Sequence, residues 1–206
     1  MLRRGRGRPE LGLREHLRRP RHRQQIEESR GQIAAHGTRP LCSRDIEDAD
    51  PEAVGARARS FFEVGDGSGG PLLCAESVLR GVAEALGAYT PPFTALLPRI
   101  ASGLCSGVAR TCGTCGAFNG GILALGLALG RDTGRQSLDP VYAAVQEFAD
   151  WFQQSQPSTT CHALTGCDFG TPEGQQRFRE GGVKHSVCLP LVAAAAAQVV
   201  RILQEQ

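Results

Sequence analysis

The stretch from Cys115 to Gly130 constrains the fold most. It is the most apolar part of the chain, and its small residues Gly116, Gly120, Ala124 and Ala128 fall four apart. That spacing places them on one face of a helix. A helix this apolar needs cover on every side, and a stripe of small residues lets a neighbouring helix approach closely. In a bilayer the same stripe would serve as a dimerisation face. The stretch contains Asn119, is ringed by glycine, and falls short of the roughly twenty apolar residues that a spanning helix needs. The expectation is a buried helix of a helical bundle, with no transmembrane segment.

The surrounding sequence agrees. Aromatic residues make up only 5% of the chain, and Ala, Gly and Leu carry most of its apolar character. That suits close-packed helices better than a β-sandwich. Apolar residues recur at helical spacing over 73–87, where Cys74, Val78, Val82 and Leu86 share a face. Further helices are expected over 93–104, 139–155 (starting at Asp139-Pro140) and 187–203, with a short one after Asp50-Pro51. No strand and no internal repeat stand out. The fold class read from the sequence is all-α, a small bundle of four to five helices with a disordered basic N-terminal arm.

Three regions are expected. Residues 1–40 carry eleven arginines, no lysine and four glutamates, and read as a disordered arm. Such an arm could bind nucleic acid or a membrane surface, be a plain solvated tail, or reflect a start codon assigned too far upstream. Residues 41–71 hold a short helix and the linker Gly65-Asp66-Gly67-Ser68-Gly69-Gly70-Pro71. The linker matches GxGxxG formally, but no strand precedes it and Pro71 follows, which rules out a dinucleotide loop. Residues 72–206 form the helical cysteine-site domain. Outside the arm there are 12 basic against 17 acidic residues, so no nucleic-acid partner is expected for this domain.

Eight cysteines are many for such a chain. Arg3-Arg4 is followed by no apolar signal core, so the expected compartment is the cytoplasm, where clustered cysteines serve metal or redox chemistry. Cys74, Cys115, Cys161 and Cys188 each fall at an expected helix start, the last two after Thr159-Thr160 and Ser186. Unpaired N–H groups and the helix dipole there favour thiolate, the form that attacks disulfides and binds metals. Gly116 and Gly120 would let a cofactor, a substrate or another helix approach the backbone closely. Cys112-Gly113-Thr114-Cys115 is a CxxC pair; no His follows it, so haem attachment is not indicated. His185 and Cys188 form HxxC, and a zinc site from Cys112, Cys115, His185 and Cys188 is an alternative. Cys42, Cys105 and Cys167 read as accessory. No phosphate loop, HExxH or GxSxG is present.

The string Cys115-Gly116-Ala117-Phe118-Asn119-Gly120 matches CGAxxG. With Cys74 upstream and Cys161 and Cys188 downstream, residues 72–204 resemble the C_GCAxxG_C_C family of redox-active proteins. The opening Leu73-Cys74-Ala75-Glu76-Ser77-Val78-Leu79 and the run Ala124-Leu125-Gly126-Leu127 extend the resemblance. It implies a small helical protein of bacteria or archaea with four shared cysteines, Cys74, Cys115, Cys161 and Cys188. Two functional expectations follow. Four thiolates could hold zinc or an iron–sulfur cluster for electron transfer with a redox partner yet to be identified. Alternatively Cys115 attacks a disulfide and Cys112 resolves it. A structural protein with reduced cysteines is the third reading.

Overall fold

The computed structural model describes residues 44–206 apart from Ser68 and Pro92; the arm at 1–40 and Cys42 lie outside the described residues. The described chain is all-α and contains no strand. Its helices are α1 (Arg44–Glu47), α2 (Pro51–Glu63), α3 (Cys74–Ala85), α4 (Phe93–Ser102), α5 (Cys105–Arg110), α6 (Gly116–Leu129), α7 (Asp139–Ser155), α8 (Cys161–Thr165), α9 (Pro172–Glu180) and α10 (Leu189–Gln204). Six of them reach ten residues or more, against the four to five expected, because α2 packs with the rest.

Local chemistry explains the boundaries. Asp50 caps α2 by accepting the Glu52 N–H at 3.0 Å, and Pro51 occupies the first turn, where its missing N–H costs nothing. Thr171 caps α9 by accepting the Gly174 N–H at 3.0 Å, again with proline next. The sequence reading did not anticipate α9, although Thr171-Pro172-Glu173 carries a helix-start signal. At α3, Glu76 reaches back to the Leu73 N–H at 2.7 Å and also accepts the Ser102 hydroxyl at 2.6 Å, tying the start of α3 to the end of α4.

Helix α10 is the axis of the bundle. Leu189, Val192, Ala195, Ala196, Val199 and Val200 are buried, and α2, α3, α6 and α7 all pack against it. Together with the turn before it, Lys184–Gln204 is long and apolar enough to cross a membrane by length and composition, and its buried face packs against the bundle's other helices. The apolar helix α6 sits as expected, between α3, α7 and α10. Its aromatic support comes from α7: the rings of Phe118, Phe148 and Phe152 lie 5.0–6.2 Å apart, and the Phe148 ring fills the space beside Gly121.

The start of the last helix differs from expectation. The helix begins before Ser186, and residues Lys184–Cys188 form a π-helical turn running directly into α10. Pro190 supplies the cause. It has no N–H to donate to the Ser186 carbonyl, and its ring would clash there. The preceding turn widens, and Leu189 N–H bonds the Lys184 carbonyl five residues back.

Candidate thiol site

The site grows from one end of α3 and α6. Cys74 is the first residue of α3, Cys115 caps α6, and Cys161 opens α8. Cys188 is not at a helix start; it closes the π turn inside a continuous helix, so the N-terminal placement expected from Ser186 does not hold. The seven described cysteines are all free.

The segment between Cys105 and Cys115, whose short α5 is left-handed rather than α-helical, brings these elements together. Ser106 to Arg110 all have positive φ, between 52° and 70°. They form a left-handed turn, which costs non-glycine residues about 1–2 kcal/mol each. Only Gly107 suits that conformation; the β-branched Val108, at φ 55°, suits it least. Cross-bonds hold the loop. Gly113 N–H donates to the Gly107 carbonyl at 2.9 Å, Cys115 N–H to Thr159 at 2.8 Å, and Cys161 N–H to Gly113 at 2.9 Å. Thr114 and Thr160 complete an isolated antiparallel bridge. A side chain at Gly107 would meet Cβ of Cys161 at 2.7 Å, so this turn needs glycine for space as well as for φ.

Two sulfur groupings result. In the first, Cys105 neighbours Cys74 at the start of α3, and its thiol donates to the Ala101 carbonyl at 3.7 Å. Cys74 Sγ rests against Gly116, on a spot that a Cβ would occupy. In the second, Cys115, Cys161, Cys167 and Cys188 lie close enough for their charges to repel one another. Cys105 also acts on Cys115, which joins the groupings into one cluster.

Burial sets the protonation. Loss of water pushes the Cys115 thiol up, and the Ala117 and Phe118 N–H groups only partly offset this. Burial, then the Cys115 charge, pushes Cys161 up to about 12. The same two causes take Cys188 to about 12, with Lys184 opposing. The Cys105 thiol is raised first by the neighbouring Cys74 and then by burial. The helix-terminus argument for low-pKa thiolates therefore fails at Cys115, Cys161 and Cys188, because burial outweighs a few N–H dipoles.

The remaining candidates are placed as follows. Cys112 has φ 59° and turns its thiol to Asp168, 3.3 Å away, whose carboxylate raises the thiol's pKa. It thus points to Asp168 rather than pairing with Cys115. His185 is 68% exposed and faces Glu63 at 3.9 Å, and His162 is exposed. Gly116 and Gly120 both lie at the crossing of α3 and α6, where side chains would meet Cys74, Ala75 and Val78. Among the described residues, no group of three His, Cys, Asp or Glu side chains is arranged to hold a metal ion. Cys74, Cys115, Cys161 and Cys188 share a cluster but do not surround one point.

Sequence reasoning missed Cys105 as a site residue. Leu97, Ala101 and Cys105 are spaced four apart and all buried, and the Cys105 thiol lies 3.7 Å from the Ala101 carbonyl. That spacing is the signal that directs Cys105 inward from the end of α4 towards α3.

The fold and site define a helical protein whose cysteines gather at the ends of its core helices. Residues 72–202 match a family model described as "Putative redox-active protein (C_GCAxxG_C_C)". That covers more than half of the chain, which belongs to the C_GCAxxG_C_C family of redox-active proteins. No curated protein and no solved structure matches the chain.

Proposed function

We propose that this chain is a thiol–disulfide redox protein acting in a reducing compartment, the cytoplasm. The observation that carries this reading is the gathering of free thiols at one end of the bundle, where the Thr114–Thr160 bridge holds Cys115 and Cys161 side by side. Two thiols in contact can become one disulfide, giving up two electrons and two protons to a disulfide substrate that leaves as two thiols.

The metal reading stands second. Cys74, Cys115, Cys161 and Cys188 would have to draw together to about 2.3 Å from one zinc, or around one small cluster. Four cysteines shared with the family favour it, since a dithiol centre needs only two; the donor arrangement does not.

Protein purified without oxygen separates the two. Elemental analysis and a thiol titration before and after addition of a disulfide reagent are the measurements. Loss of thiols in pairs, without stoichiometric metal, is expected. Stoichiometric iron or zinc that disappears in Cys161→Ser would overturn the exchange reading in favour of a metal centre.

A further inference from the structure

We propose that the apolar face formed by α4, α6 and α7 is the contact surface of a two-fold dimer, in which a second copy of this chain crosses α6 at Gly126. The inference stands apart from the thiol–disulfide reading and uses none of the cysteines.

Helix α6 holds no charged residue and is apolar on every side, yet the fold covers only part of it. Ile122, Leu123 and Leu127 are part-covered and Gly126 is exposed. These four line an open groove of about 500 Å³, flanked by Ile100 of α4 and Tyr142 of α7. The Tyr142 hydroxyl is the one polar side-chain group in its lining, whereas a small-molecule site sets several polar groups to orient its ligand. Gly126 is a second, independent observation. Gly55, Gly81, Gly116, Gly120 and Gly121, all inside helices, each stand where a Cβ would meet an atom of the chain at 2.9 Å or less. A Cβ at Gly126 would meet nothing within 4 Å. Glycine weakens a helix relative to alanine, and no described atom of the same chain calls for one here. An outward glycine on an apolar helix lets another helix come in close against the backbone.

The same face carries what would fill the groove. Phe93, Leu96 and Ile100 follow one another at helical spacing on α4, and with Tyr142 they are 48–54% exposed. A ridge beside a groove on one patch is self-complementary: a two-fold axis sets the ridge of each copy into the groove of the other. The exposed halves of these four side chains come to on the order of 400 Å², and the groove lining raises this towards the roughly 800 Å² that each partner of a standard interface buries. Arg99 is the only charged residue of α4 and α6, and a charge-poor centre is what a homodimer contact requires. A helix lying on a membrane would instead show a polar face rich in Lys and Arg, which neither α4 nor α6 has. Gly126 lies about 16 Å along the helix from Cys115, so the contact leaves the sulfur cluster accessible.

The test is sedimentation equilibrium of the full, reduced chain at micromolar concentration. A mass of about twice 21.9 kDa is expected. Leu96→Glu puts a charge on the ridge, and Gly126→Gln fills the crossing. Both positions are exposed, so each variant should keep the helical circular dichroism of the parent. Each should raise the dimer dissociation constant at least about thirtyfold. Val64→Ser changes an exposed apolar residue outside this face and should dimerise as the parent does. A parent chain that stays monomeric overturns the proposal; if that monomer floats with phosphatidylcholine–phosphatidylglycerol vesicles, the face belongs to lipid instead. A dimer that both variants leave intact overturns the placement, and a mass above two copies overturns the two-fold pairing. Thiol exchange is read in a separate assay, so the failure of either reading leaves the other standing.

Discussion

Two helix crossings in this protein use the same device for different ends. Where α2 crosses α10 and α3, Gly55 lets the Ala193 carbonyl approach, its oxygen only 2.6 Å from where a Cβ at position 55 would stand, and Gly81 does the same for Ala58 Cβ at 2.9 Å. Where α3 crosses α6, Gly120 admits the Ala75 carbonyl at 2.7 Å, and Gly116 admits a sulfur, Cys74 Sγ. The first crossing is closed by backbone and methyl groups and serves packing. The second crossing packs at Gly120 and keeps a reactive group in place at Gly116. A glycine four residues from another therefore does not by itself mark a binding site; the atom it admits decides.

Removing the aromatic support of the second crossing should have the largest effect. Phe148 is fully buried, supports α6 at Gly121, stacks with Phe118 and meets Phe152 at a tilt. Phe148→Ala leaves a void behind the helix that carries Cys115, at a cost of about 3–5 kcal/mol. Chemical denaturation should show the loss, and thiol alkylation should speed up across the cluster as α6 loosens. A variant with unchanged stability would mean that α7 does not hold α6.

The next substitutions separate the crossings. Gly55→Ala gains about 1 kcal/mol of helix propensity, but its methyl meets a backbone carbonyl that cannot swing aside. Overpacking of that kind costs about 1–3 kcal/mol, so the net change should be destabilising. The rate of thiol oxidation in the folded state should not change. Gly116→Ala presses on a sulfur instead of a carbonyl. A sulfur can rotate away, so the stability loss should be smaller, below about 1–2 kcal/mol. Its oxidation rate should move clearly, because the displaced atom is Cys74 Sγ. If Gly55→Ala alters oxidation as much as Gly116→Ala does, the contrast between the crossings collapses.

Much of this was legible in the sequence, for reasons that particular residues make plain. Val78, Val82 and Leu86 announced α3, and the small residues of α6 announced a buried helix, because both are periodic within one element. Cys74 and Cys115 were read at helix starts from the apolar pattern that follows them and Cys161 from Thr159-Thr160, and the structure places them there. Cys188 was misplaced because Ser186 looks like a cap, while the consequence of Pro190 falls on the turn before it. The gathering of Cys115 and Cys161 through the loop before α6 was not legible. It depends on a left-handed turn at 106–110 in which only Gly107 has a local preference for that conformation. Two long-range bonds to the 159–161 segment and one from Gly113 back to Gly107 hold it, and no periodicity reports them. The protonation of the buried thiols was read with the wrong sign because helix dipoles are visible in sequence and desolvation is not.

The smallest effect at neutral pH, and the one that isolates the sulfur end, is alkaline. Cys161 and Cys188 are pushed from the ordinary thiol value of 9.0 up to about 12, first by burial and then by the Cys115 charge. In the unfolded chain both thiols ionise near the ordinary value, while the folded chain keeps them protonated. The folded state thus binds more protons between about pH 9 and 12, and stability falls as pH rises through that window. Below pH 9 both states hold these protons and nothing changes. The α2–α10 crossing, closed by the Ala193 carbonyl and alanine methyls, contributes no such slope. Thermal midpoints at pH 7 and pH 10 should therefore differ more in the parent chain than in Cys161→Ala, which removes one of the buried acids. An identical alkaline drop in both would mean that Cys161 ionises as freely in the folded protein as in the unfolded one, and that water reaches the sulfur cluster.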